Sequence, residues 1–189
     1  MTMRLKAVKP DDFTNYKDPE GWSSLFIGMG TCDWKCCIAA GIPVETCQNS
    51  ELAQAPIVEL KATDLLKRYA WESGSVVVGG LEPFNDMESL KELATAYRDF
   101  VSYLNSETEL DKLVIYTGYN PDEVISRVEE IYNIVKGKLT LIVKFGRFVP
   151  GQKPHFDDVL GVELVSDNQF AKRITKEYIK DVRKSAYRP

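Results

Sequence analysis

Between residues 75 and 145 the chain alternates short apolar runs with amphipathic stretches, and this limits the folds open to it. Ser75-Val-Val-Val-Gly-Gly80, Lys112-Leu-Val-Ile-Tyr-Thr117 and Leu139-Thr-Leu-Ile-Val-Lys-Phe145 have the length and apolar content of strands. Three successive valines suit a strand covered on both faces. Between the runs lie helical patterns. Over 86–104, Met87, Leu90, Leu93, Tyr97, Phe100, Val101 and Leu104 recur at i, i+3, i+4 intervals, with Glu88, Lys91, Glu92 and Arg98 between them. Asn120-Pro121-Asp122-Glu123 gives a cap, a proline at the first helical position and acids in the first turn, and Val124, Val128, Ile131 and Val135 follow. Alternation of this kind implies a parallel sheet with helical crossovers.

Other segments extend the pattern. Residues 1–22 read as an irregular lead-in or an edge strand. Ser24–Met29 is a buried first strand, and residues 60–72 form a helix through Leu65, Leu66 and Tyr69, ended by Gly74. Residues 146–158, with Pro150, Gly151 and Pro154, read as a loop carrying the single histidine, His155. Val159–Val165 is a fifth strand, and Phe170, Ile174, Tyr178 and Val182 lie on one face of a helix over 168–186. That last stretch is basic and extends toward residue 189. It is either a solvated face or a docking surface for an acidic partner or anionic ligand. The expectation is one α/β domain over 1–189, built on about five strands as a partial (βα) barrel or an open, mostly parallel sheet. A closed eight-stranded barrel needs more chain.

All four cysteines, Cys32, Cys36, Cys37 and Cys47, fall in one stretch directly after the first predicted strand. That places them at a strand carboxyl end, where α/β folds put their chemistry. Such a cluster points to a shared metal or to disulfides, and adjacent Cys36 and Cys37 can scarcely bridge each other. No apolar secretory segment opens the sequence, and no run reaches the length of a membrane span. The expectation is a reducing cytoplasm, where clustered cysteines more often bind metal or do redox work. A net charge of −4 argues against general nucleic-acid binding.

Two metal readings follow from the spacing. A tetrahedral zinc site would use all four thiols, but zinc sites usually present paired C-x2-C hooks. A three-cysteine site would use Cys32, Cys47 and either Cys36 or Cys37, leaving one position open for substrate.

Cys32-Asp-Trp34-Lys-Cys36 and Cys47-Gln-Asn49 resemble the C-x3-C-x2-C loop of radical SAM proteins, within which the chain is most similar to the small activating proteins of anaerobic ribonucleoside-triphosphate reductases. Val78-Gly79-Gly80-Leu81-Glu82-Pro83 resembles the family's Gly-Gly-Glu-Pro motif. Ile115-Tyr116-Thr117-Gly118-Tyr119 resembles its third-strand Thr-Gly-Tyr, and Gly161 with Ser166-Asp-Asn168-Gln169 its late Gly-Ser-x-Asn-Gln stretch. The resemblance covers about residues 25–175. It departs from the family in the second cysteine gap, ten residues from Cys36 or nine from Cys37, and in the inserted Leu81. Lengthening a spacer from two to ten residues costs only about 1.4 kcal/mol in closure entropy, small beside the roughly 10 kcal/mol or more of structural metal–thiolate binding.

The resemblance implies a 4Fe-4S cluster on Cys32, Cys36 and Cys47, with Cys37 the alternative to Cys36. It implies S-adenosylmethionine contacts from Trp34, Gly79, Gly80, Glu82, Tyr116, Thr117, Tyr119 and Asn168. It also implies a glycyl-radical enzyme such as the anaerobic reductase as partner, and a small electron-donor protein. Beside it stand a radical SAM enzyme with another substrate and, as a different class of function, a zinc- or iron-sulfur-stabilised binding module without turnover.

Overall fold

The computed structural model of the chain describes residues 2–71, 73–104 and 110–186. Its elements in order are β1 (Met3–Asp12), β2 (Ser23–Met29), α1 (Lys35–Ala40), α2 (Ser50–Gln54), β3 (Val58–Leu60), α3 (Ala62–Tyr69), β4 (Ser73–Gly79), α4 (Met87–Leu104), β5 (Lys112–Tyr116), α5 (Pro121–Val135), β6 (Thr140–Phe145), β7 (His155–Asp157), β8 (Val162–Leu164), β9 (Phe170–Arg173) and α6 (Lys176–Ala186).

Seven strands form one mixed sheet in the order β3-β1-β2-β4-β5-β6-β9, and β7 and β8 pair separately. The central four, β2, β4, β5 and β6, are parallel, while β1, β3 and β9 join antiparallel. Strand order across the parallel block follows chain order, so right-handed crossovers lay their helices on one face. That face is the larger core. Val76, Val78, Leu113, Ile115, Leu141 and Val143 meet Leu65, Leu66, Leu90, Leu93, Tyr97, Val124, Val128 and Ile131 there. Burial of each such aliphatic side chain is worth about 1.5–3 kcal/mol.

Among the described helices only the short α2 packs on the opposite face, with Leu52 against Gly28. Val77, Val114 and Ile142, the alternate residues of the same strands, pack under Tyr16, Leu160 and Leu164. Residues 13–18 and the β7–β8 pair therefore roof this face, and every residue of β4 is buried as its valine run requires. Asp157 fastens the roof. Its Oδ1 accepts from Val159 and Leu160 N–H, and its Oδ2 accepts from Ala171 N–H on β9.

The structure departs from the expected five strands in several places. The lead-in is the long strand β1, so the cysteine stretch follows the second strand rather than the first. Val162–Leu164 pairs with β7 outside the main sheet, and His155 lies on β7 rather than in a loop. Residues 170–173 are a strand, because Phe145 and Phe170 pair across β6 and β9; the terminal helix starts only at Lys176. Gly74 lies within β4, and Ala70 ends α3. Among the described residues, no helix is long and apolar enough to cross a membrane.

Candidate functional site

The carboxyl ends of β2, β4, β5 and β6 open on a cavity of about 350 Å³, lined on one side by Cys32, Cys36, Cys37 and Cys47. Thr14 and Asn15 from the N-terminal segment and Val162–Val165 of the hairpin close it from above. The stretch that carries the cysteines is folded, not loose. Trp34 takes a left-handed φ of 58° and caps α1, so the chain turns sharply between Cys32 and Cys36. Cys32 Sγ accepts from Trp34 N–H (3.3 Å), and Cys47 Sγ accepts from Asn49 N–H (3.5 Å). Cys37 is buried and the other three are half-buried. Burial pushes the thiols up, Cys32 to about 11, with Cys36 and Cys37 moved in the same direction. Metal binding at these sulfurs would therefore release protons.

The long gap before Cys47 is anchored through α2. Leu52 fills the notch left by Gly28 and Gly80: a Cβ on Gly80, where φ is +76°, would lie 2.3 Å from Leu52 Cδ2. Lys6 Nζ donates to Ala53 and Ala55 carbonyls at the end of α2. Gly79 faces the Tyr116 Cβ and the Phe26 ring. The glycine pair thus makes room for neighbouring side chains. The space their missing side chains leave is filled by protein, and of the two only Gly80 borders the cavity.

Glu82 does face the cavity, 6% exposed. Its Oε1 accepts from Phe84 N–H (3.1 Å) and Thr117 Oγ1 (2.8 Å), and its Oε2 accepts from Gly118 N–H (2.9 Å). A carboxylate offers about four acceptor positions, so about one remains. Burial still pushes Glu82 above the usual carboxylate range. Gly118 also makes room for Cys36, since a Cβ there would lie 2.6 Å from Cys36 Sγ.

Tyr116 and Thr117 line the cavity, and Tyr116 OH donates to the Asn15 carbonyl of the roof. Tyr119 and Asn168 do not line it. Tyr119 OH donates to Asp33 Oδ2 (2.5 Å), which ties the cysteine stretch to the β5–α5 turn. Lys35 and Arg127 sit 4.8 and 4.9 Å from its ring centroid. Asn168 Nδ2 donates to the Arg147 carbonyl (3.0 Å) and braces the turn after β6; its neighbour Gln169 borders the cavity instead. Lys35 and Arg147 both pair with Glu123.

Lys144 stands inside the apolar run 139–145 that the sequence marks as a strand. The structure buries it in the cavity wall, 6% exposed, with Nζ donating to the Gly146 carbonyl. Burial pushes its amine down to about 8. A lysine inside Leu-Ile-Val-Lys-Phe was the available signal, because strand alternation puts it on the same face as Ile142.

Among the described residues, no three His, Cys, Asp or Glu side chains converge as one metal ion would require. All four thiols border the one cavity. Comparison of the chain with protein-family models, with curated proteins and with solved structures finds no match.

Proposed function

We propose that the chain is a radical SAM activating enzyme of the anaerobic reductase type, with a 4Fe-4S cluster on Cys32, Cys36 and Cys47 and a glycyl-radical protein as partner. One observation carries the reading. Thiols from a stretch spanning residues 32–47 border a single cavity at the ends of the parallel strands, facing Glu82 and Thr117. A mixed sheet with helices on one face is compatible with the partial barrel this activity uses. When bound, such a cluster supplies the electron for cleavage of the sulfonium of S-adenosylmethionine, the cofactor that provides the hydrogen-abstracting group.

The chain's own residues then have separate tasks. The free acceptor position of Glu82 takes the cofactor's ammonium, with Thr117 and Gly118 holding the carboxylate still. Trp34 sets the turn that aims Cys32 and Cys36. Tyr119 and Asp33 fix that turn to the sheet. The roof of Thr14, Asn15 and the β7–β8 hairpin limits water above the site.

The test is purification without oxygen, assay of iron and sulfide, and incubation with dithionite and S-adenosylmethionine. The expected result is matching iron and sulfide and release of 5′-deoxyadenosine. Addition of an anaerobic ribonucleotide reductase should then yield a glycyl-radical signal in electron paramagnetic resonance. Zinc without sulfide would overturn the reading in favour of a metal-held binding module.

A further inference from the structure

The cavity wall holds a buried cation without an ion pair: Glu82 in the same wall acts on its charge but does not bond it, and the Lys144 ammonium lies 5.8 Å from the Tyr116 ring centroid. Lys144 is 6% exposed, and its ammonium donates to one backbone carbonyl, that of Gly146, at 2.9 Å. Among the described residues it forms no ion pair. Its neighbours are already engaged: Lys35 and Arg147 share Glu123, and the Glu82 carboxylate is held by three donors. An ammonium buried without an ion pair is costly to the fold, and an anion in the same cavity would offset that cost. Lys144 and Cys36 border the same cavity. The backbone joins them as well, because Thr117 N–H donates to the Lys144 carbonyl and Gly118, the next residue, is packed against Cys36 Sγ.

We propose that Lys144 is the built-in counter-charge of the anionic cluster and sets its reduction potential. The proposal rests on the cluster reading above. Three thiolates leave a 4Fe-4S core with net negative charge, and one-electron reduction by an external donor adds one more. A fixed cation in a dry wall stabilises the reduced form more than the oxidised form and raises the potential. Lys144 itself gains and loses no bond in that step.

The experiment compares the wild type with Lys144→Met and Lys144→Arg, first metal-free and then reconstituted without oxygen. In the metal-free proteins the Met variant should melt higher than the wild type, because an unpaired buried charge has been removed. After reconstitution all three should hold equal iron and sulfide. A dye-mediated redox titration at pH 7, followed by electron paramagnetic resonance, should place the Met variant at a more negative potential and the Arg variant with the wild type. A Met variant that melts lower or fails to fold would mark Lys144 as a structural strut and overturn the proposal. So would equal potentials at equal cluster content. A wild type that takes up no iron and sulfide would overturn the cluster reading itself, and this inference with it.

Discussion

Gly118 shows how much a single missing side chain decides here. Its N–H holds Glu82, and its bare Cα leaves room for Cys36 Sγ. Ala at this position meets no positive-φ strain, so the effect falls on the thiol. Gly118→Ala should displace Cys36 and change its alkylation rate several-fold, with Cys47 unaffected, at a stability cost of about 1 kcal/mol. Peptide mapping after timed iodoacetamide labelling checks this. The sequence marked Gly118 only as the middle of a Thr-Gly-Tyr stretch. Its contact with Cys36 joins residues far apart in the chain, and no local pattern records that. The cysteines and Glu82 were legible because their types are rare and their spacing unusual. Gly79, Tyr119 and Asn168 lie off the cavity lining, since a motif fixes a position along the chain but not what lies opposite.

At the level of elements, the start of α5 was the most legible feature. Asn120, Pro121 and Glu123 form the expected capping box, and Glu123 Oε2 accepts from Asn120 N–H at 2.8 Å. The same carboxylate also joins Lys35 at the start of α1 to Arg147 after β6. These partners hold Glu123 down at about 2. A carboxyl lowered on folding contributes stability above its ordinary range near 4.5, and that contribution fades as pH falls toward 2. Glu123→Gln should therefore lower Tm at pH 7 and differ little from the wild type near pH 2, as thermal melts across that range would show. By contrast, the amphipathic pattern over 168–186 concealed a boundary. Apolar residues at 170 and 174 fit a helical face, yet Phe170 gains more by pairing beside Phe145 at the sheet edge, with ring centroids 5.7 Å apart.

For the whole molecule, the parallel core could be read from periodicity, and the roof could not. Strands of three residues, such as β7 and β8, give too short an alternation to stand out from a Pro-Gly loop. The hairpin is held by Asp157 more than by its own length. Asp157→Ala strands three backbone N–H groups and should cost about 3 kcal/mol, measurable as a lower urea midpoint. The helical face should keep its secondary structure in that variant, because the Asp157 carboxylate accepts its hydrogen bonds, among the described residues, from the roof and β9.

With the long helices on a single face, the two sides of the sheet differ in rigidity. The chamber has a stiff floor, formed by strands buried on both sides, and a ceiling stitched from a coil segment and a short ribbon. Amide protons in the floor should exchange with solvent only when the entire protein opens, while those of the ceiling escape through smaller local excursions. Entry for a guest molecule thus lies overhead, where lifting the cover leaves the sheet undisturbed.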